Sequence, residues 1–217
     1  MAWLALLVGG GLALLALRLF REERSRRDAR KGWLDRIALA HPRRAVAPSG
    51  FPRASGEIGG LTVDLQAVPD LLNLRKLPTL WLLVTLPDNL PLRQRINLMI
   101  RPTGIEPFSS FDELPHQTTL PDGFPEDASL RSEAPLDASE AALIRRHLDL
   151  FRDPRVKELV ISPKGVRLTW LADEADRGRY LLFRDAEVGR TALDPAALDP
   201  LLSGLRNLRQ DILEVAA

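Results

Sequence analysis

The sequence contains no cysteine and is poor in several other residue types. Its 217 residues include one tyrosine, two methionines and three histidines. The absence of cysteine excludes disulfide frameworks, thiolate metal sites, iron–sulfur clusters, lipoprotein anchoring and cysteine nucleophiles. The usual phosphate-loop, dinucleotide-binding, serine-hydrolase and zinc-protease motifs are also missing. The sequence therefore predicts no catalytic residue, no cofactor and no metal site.

Charge is nearly balanced overall but is unevenly distributed along the chain. The formal net charge is +1, yet residues 1–31 contain seven Lys/Arg and three Asp/Glu. That segment therefore carries +4, and residues 32–217 carry −3. The basic residues of the larger part do not interleave with aromatic residues along one element. This distribution argues against a nucleic-acid partner.

The apolar N-terminal segment predicts a single transmembrane helix over 1–20. No charged side chain precedes Arg18, and nineteen helical residues at ~1.5 Å each span about 28 Å, close to the ~30 Å hydrocarbon thickness. A basic cluster follows the apolar run at once, so the positive-inside rule places the N-terminus outside and the remaining chain in the cytoplasm. The run is not followed by a small-x-small cleavage site, which favours an uncleaved anchor over a signal peptide.

Specific residues are expected to lie at the membrane interfaces or between helices. The predicted interface residues are Trp3, Arg18, Arg21, Arg24, Arg26, Arg27, Arg30, Lys31 and Trp33. Ala5, Gly9 and Ala13 have the small-xxx-small spacing that permits close helix packing, which leaves a homo-oligomer open.

The composition is rich in Arg, Ala, Leu and Pro and poor in Lys, which is typical of a GC-rich bacterial genome. The expected location is thus the bacterial inner membrane, with the lipid bilayer as a partner.

Three segments are predicted after the anchor. Residues 21–40 form a basic juxtamembrane amphipathic helix, which either lies in the interface or packs on the protein's own domain. Residues 41–55 hold three prolines and several basic residues without helical period, and indicate an extended linker. Residues 56–217 form a cytosolic domain, since about 160 residues can bury a sizeable core.

The domain is predicted to be α+β, with antiparallel meanders in the order βββ, long loop, α, βββ, α. Apolar or alternating runs give strands at 61–66, 79–86, 95–101, 156–161, 166–171 and 179–184. Asp137 and Glu140 form a capping box that begins one helix, and Asp194-Pro195 or Asp199-Pro200 begins the last. The two halves share this pattern without sharing residues, which leaves a duplicated unit open.

The connection 102–135 is the main candidate for a functional loop. It contains six prolines together with Phe108, Phe111, His116 and Phe124. Loops of this length in compact domains are often functional, but their aromatic side chains can also fix them to the core.

The function expected from these features is that of a membrane-anchored interaction, scaffolding or accessory subunit of a membrane protein complex. One alternative is a membrane-tethered hydrolase that uses His116 with Asp112 or Glu113. The other is a sensory, ligand-binding domain with the 102–135 loop as its lid. No concentrated reactive group occurs in the sequence, which favours a protein that is not an enzyme.

Overall fold

Nine antiparallel strands form one sheet in the computed structural model, which describes residues 2–71, 77–120, 123–183 and 187–215. The strands are β1 (Ala40–Val46), β2 (Pro52–Ile58), β3 (Leu61–Asp70), β4 (Thr79–Pro87), β5 (Ile96–Ile100), β6 (His116–Thr118), β7 (Ala128–Ser132), β8 (Val156–Ser162) and β9 (Gly165–Glu174). Their order across the sheet is β1-β2-β3-β4-β9-β8-β5-β7-β6. Together with the helices, this sheet confirms the predicted α+β class.

The helices are α1 (Ala2–Lys31), α2 (Ala138–Arg146), α3 (Arg177–Phe183) and α4 (Leu198–Val215). The capping box predicted for α2 is confirmed. The Asp137 carboxylate accepts hydrogen bonds from the backbone N–H groups of Ser139 and Glu140, each at 2.8 Å. The Asp137 N–H in turn donates to Glu140 Oε2 at 3.0 Å. These contacts satisfy amide groups that the first helical turn leaves without partners.

Five of the six predicted strands are confirmed, but the predicted meander over 61–101 is wrong. β4 pairs with β3 and β9 instead of β5, and β5 pairs with β7 and β8. A long strand that is apolar on both faces needs two long neighbours, and the ten-residue β9 covers β4 where the five-residue β5 would not. The β8–β9 hairpin therefore lies between β4 and β5. The two halves of the sequence interleave in this sheet and do not form separate βββα units.

The sixth predicted strand, over 179–184, is wrong in its described part. Residues Arg177–Phe183 form α3, and Arg184 lies outside the described residues. The side chain of Asp176 accepts a hydrogen bond at 2.7 Å from the Arg179 N–H at the start of this helix. An N-terminal cap of this kind favours helix over strand.

The predicted linker over 41–55 is wrong as well, because this segment contains β1 and the beginning of β2. β1 is an edge strand that is exposed at every residue and pairs with β2. Pro42 is tolerated there because an edge strand has one side that needs no hydrogen bonds, and Pro52 begins β2, where a missing donor also costs little. The predicted helix over 21–40 ends early, since α1 stops at Lys31 and a 3-10 turn follows at Gly32–Leu34.

The main hydrophobic core lies between one face of the sheet and α4. The periodic apolar residues of α4 are buried there, as the sequence predicts for a core-packing helix: Leu198, Leu201, Leu205, Leu208 and Ile212. They pack against β4 and β9, whose core-facing residues alternate along each strand. A smaller cluster on the opposite face contains Leu83, Met99, Phe108 and Phe111. The connection between β5 and β6 therefore covers the second face of the sheet.

Candidate functional site

The first candidate surface is the apolar half of α1. Trp3 and the large apolar side chains between residues 12 and 20 are exposed, the latter by 46% to 66%: Leu12, Leu14, Leu15, Leu17, Leu19 and Phe20. At 100° per residue these positions point in all directions around the helix. The folded domain covers none of these side chains, so α1 presents an apolar surface around its whole circumference.

The structure also bears on the predicted membrane span and on the predicted helix-packing residues of α1. Within the described part of the chain, no helix combines the length and the apolar character that crossing a membrane requires. Of the three predicted helix-packing residues, Gly9 and Ala13 are exposed, and the side chain of Ala5 lies outside the described residues.

Six of the seven basic residues of α1 divide into two groups by their ion pairs, and the seventh, Arg30, is half-buried. Arg26 pairs with Glu22 at 2.5 Å, Arg27 with Glu23 at 3.1 Å and Lys31 with Asp28 at 3.6 Å. Pairs at these spacings lie on one side of a helix and partly neutralise each other. In contrast, Arg18, Arg21 and Arg24 are exposed and have no acidic partner among the residues that the structure describes. Three exposed and unneutralised positive charges therefore lie next to the apolar half of the helix.

The other end of α1 is fixed to the domain. Trp33, Leu34 and Ile37 are buried in the main core, and the Leu193 N–H donates to the Trp33 carbonyl at 2.9 Å. Arg26 also lies 3.4 Å from Glu187. The prediction that Trp33 lies at the membrane interface is therefore wrong, because the side chain is only 2% exposed. Trp33, Leu34 and Ile37 pack on the protein's own domain, as the alternative expected, although they follow the helix and are not part of it.

The second candidate surface is formed by the 102–135 connection on the sheet. Phe108 and Phe111 are buried against it, with Phe108 and Trp81 at a ring-centroid distance of 5.1 Å and the Arg131 guanidinium 5.3 Å from the Phe111 ring centre. Phe124 is half-buried against the main core. The expectation that aromatic side chains fix this connection is confirmed. The connection also contains β6 and β7, which the sequence analysis missed.

His116 does not have the surroundings that a catalytic histidine would need. It is exposed on the edge strand β6. Asp112, one of its two predicted partners, lies 3.9 Å from Arg131 instead. The hydrolase hypothesis needed an enclosed apolar pocket around His116, and the exposed position of this residue argues against it.

A fully buried carboxylate, Glu158 of β8, lies beneath the same connection. The side chains of Asn97 and Ser109 donate to its Oε1, Asn97 at 2.7 Å. Thr169 and Arg167 donate to its Oε2 at 2.9 Å and 3.1 Å. Glu158 is 0% exposed, and a buried charge of this kind is tolerated only when it is paired and hydrogen-bonded. The four donors supply both conditions and connect three strands to the covering loop.

This polar cluster was not predicted from the sequence, although three of its members are visible there as polar residues within strands. Asn97, Glu158 and Thr169 are polar residues in the mostly apolar strand segments INLMI, VKELVI and VRLTW, of which the last two also contain Lys157 and Arg167. An isolated polar residue in a buried strand needs a partner, and the sheet register places Thr169 opposite Glu158. The strand order, which local patterns do not give, was the missing information.

A second buried ion pair lies at the edge of this connection. Lys157 Nζ donates to the carbonyl oxygens of Ile100 and Arg101, both at 2.6 Å, and lies 3.4 Å from the Glu106 carboxylate. The Arg101 backbone has a φ of 47°, a left-handed conformation that non-glycine residues seldom adopt. Thr103 donates to Glu106 through its N–H at 2.7 Å and its hydroxyl at 2.8 Å.

These contacts determine the ionisation of Glu106. Burial opposes its charged form, but the Thr103 hydrogen bonds and the positive charge of Lys157 outweigh that effect and lower the pKa of Glu106. The carboxylate is therefore ionised at neutral pH, and with Lys157 it forms one wall of a cavity.

This cavity has a volume of about 440 Å³ and opens between the 101–108 segment, the starts of β4 and β8, and the end of β9. Trp81, Phe108 and Leu171 form its apolar part. The lining also contains three basic and three acidic residues: Arg101, Arg155, Lys157, Asp70, Glu106 and Glu174. Pockets for small organic ligands have volumes in this range and combine apolar walls with a few polar groups. Phe111 and Phe124 are not among its lining residues.

Comparison with known proteins gives no relative from which a function could be transferred. No protein-family model matches the chain, and no curated protein or solved structure matches it significantly.

Proposed function

We propose that this protein is anchored in a membrane by the apolar half of α1, and that its sheet domain serves as an interaction or accessory module of a membrane protein complex. The observation that carries the proposal is the set of exposed Leu and Phe side chains that surround the helix between residues 12 and 20. A helix that is apolar around its whole circumference is stable where lipid or protein surrounds it. The continuous apolar sequence before Arg18 supports a single span over 1–20.

The proposed orientation places the N-terminus outside and the domain in the cytoplasm, at the bacterial inner membrane. It rests on the basic residues that follow the apolar run. A C-terminal fusion to a reporter enzyme that is active only outside the cytoplasm should give no signal, whereas strong activity would overturn the orientation.

Membrane anchoring itself is tested by a pair of matched double variants. Leu12→Lys with Leu15→Lys should release the protein from membranes that are washed with alkaline carbonate, because charged side chains at the centre of a span are strongly unfavourable. Leu181→Lys with Leu182→Lys alters two α3 residues that are exposed by 60% and 78% and should leave the protein membrane-bound. Release of wild-type protein by carbonate would contradict the proposal.

The interaction role is supported by β1, which is exposed along all seven residues at one edge of the sheet. An edge strand of this length offers backbone groups to which a partner chain can add a strand. Affinity purification from detergent-solubilised membranes should yield a stoichiometric complex with another membrane protein. Val46→Pro, which alters an exposed β1 residue, should abolish that complex, and Leu182→Pro in α3 is the control. Purification of a lone monomer would contradict this part of the proposal.

A second candidate function, binding of a small ligand, is favoured by the cavity next to Trp81 and Phe108. Its aromatic wall, together with basic and acidic side chains in equal number, suits an aromatic ligand that carries a polar group. The probe 1-anilinonaphthalene-8-sulfonate should bind with increased fluorescence, and Thr79→Phe, which alters a lining residue, should weaken binding. Thr85→Phe is the control, because Thr85 lies on the same strand but outside the cavity lining. Equal effects of both variants would contradict a site in this cavity.

A further inference from the structure

We propose that Arg18, Arg21 and Arg24 form a binding site for the headgroups of anionic phospholipids. This inference rests on the proposed membrane anchor and adds the chemical class of the lipid that α1 recognises. These three arginines are exposed, have no acidic partner among the described residues and lie next to the apolar half of α1.

The three arginines lie on one side of the helix, at the level of the lipid headgroups in the proposed membrane-bound state. Residues spaced by three lie on neighbouring positions of a helix surface, so the three side chains cover about 120° of it at 100° per residue. From residue 18 to residue 24 the helix rises about 9 Å at ~1.5 Å per residue. The headgroup region on one side of a bilayer is about 5–8 Å thick, from a total of ~40–45 Å and a core of ~30 Å. The three guanidinium groups therefore fall within or next to the layer of phosphates.

Ion pairs and burial distinguish these three arginines from the other basic residues of α1. Arg26, Arg27 and Lys31 each have an acidic partner on the same helix at 2.5 Å, 3.1 Å and 3.6 Å. Arg18, Arg21 and Arg24 have none among the described residues, and all three are exposed. A guanidinium group binds phosphate oxygens through two parallel N–H donors. Their unneutralised charge is thus available to lipid phosphates. Farther along the helix, three of the four basic side chains have acidic partners on α1, and the fourth, Arg30, is half-buried.

Two double variants with the same change in charge separate specific binding from a general charge effect. Wild-type protein, Arg21→Gln with Arg24→Gln, and Arg27→Gln with Lys31→Gln are each inserted into vesicles of phosphatidylglycerol and phosphatidylcholine in a 1:3 ratio. After extraction in mild detergent, native mass spectrometry measures the ratio of the two lipids retained by the protein. Flotation of the vesicles before extraction reports membrane insertion separately.

Wild-type protein and the Arg27/Lys31 variant should retain phosphatidylglycerol in preference to phosphatidylcholine. The Arg21/Arg24 variant should lose up to about 30-fold of this preference, since each of the two basic side chains contributes about 1 kcal/mol, or about 5-fold, at an anionic surface. Equal losses in both variants, or no preference in wild-type protein that floats with the vesicles, would overturn the lipid site alone. Failure of wild-type protein to float would instead overturn the membrane anchor on which the site depends.

Discussion

The ammonium group of Lys157 lies 3.4 Å from the Glu106 carboxylate and fixes the covering loop to β8. Both side chains are largely buried, with exposed fractions of 12% and 7%. Lys157 also donates to two consecutive backbone carbonyls, those of Ile100 and Arg101. The left-handed backbone at Arg101 accompanies this arrangement. A single ammonium group thus satisfies three acceptors at the point where the chain leaves β5.

Lys157→Met should lower the free energy of unfolding by about 3 kcal/mol, because it leaves a buried carboxylate without its cation. Two carbonyl groups lose their donor in the same variant. Arg152→Met is the matched control, since Arg152 and Asp149 form a pair at 2.9 Å whose side chains are 80% and 73% exposed. An exposed pair contributes at most about 1 kcal/mol. Chemical denaturation measures both values, and equal losses would show that burial does not determine the effect.

The lowered pKa of Glu106 predicts a specific loss of stability in acid. Its ordinary value is 4.5, and its value in the folded protein is lower. The unfolded chain therefore binds a proton before the folded chain does, and the stabilisation is fully present above pH 4.5. It is lost as the pH falls from that value through the lowered pKa.

Glu106→Gln should consequently reduce the slope of unfolding free energy against pH below pH 4.5, the ordinary pKa of this side chain. Denaturant titrations at several pH values give the slope for the wild-type protein and the variant. Glu126→Gln, at an exposed position of the same connection, controls for removal of one carboxylate. If the unfolding free energy of the Glu106 variant and that of the wild-type protein fall with the same slope in acid, the prediction is contradicted.

Local patterns in the sequence were sufficient to predict elements that local interactions stabilise. The Asp137 capping box, the apolar period of α4 and the apolar run of β4 each lie within a short segment, and all three are found in the structure. β1 was missed because Pro42 and the neighbouring arginines resemble a linker, and an edge strand tolerates both. Only the pairing with β2, which the local pattern does not contain, identifies it as a strand.

The polar cluster around Glu158 could not be predicted because it depends on long-range contacts. Asn97 and Glu158 are 61 residues apart in the sequence, and they meet because β5 and β8 are neighbours in the sheet. The predicted meander placed β5 beside β4, which left Glu158 without these partners. The error in strand order and the missed cluster therefore have the same origin.

Ser109→Ala should destabilise the protein by about 2 kcal/mol, because the Ser109 hydroxyl donates to a buried charged group. It should also accelerate amide hydrogen exchange over residues 103–114, since the connection loses its contact with the centre of β8. Ser110→Ala removes a neighbouring hydroxyl that accepts from Arg95 at 2.7 Å and should cost less. Unchanged exchange in the Ser109 variant would contradict a role for this contact in fixing the connection.

Trp33→Ala should lower the free energy of unfolding by about 3–5 kcal/mol, the usual cost of removing a large buried aromatic side chain. Trp33 is 2% exposed in the core, directly after α1 ends. Trp3→Ala is the matched control, because Trp3 is 63% exposed and should leave the stability of the detergent-solubilised protein unchanged. Thermal denaturation of the two variants distinguishes a helix fixed to the domain from one joined to it by a loose connection. In the second case Trp33→Ala would be tolerated as well as Trp3→Ala, and the proposed anchor would then hold the domain only flexibly.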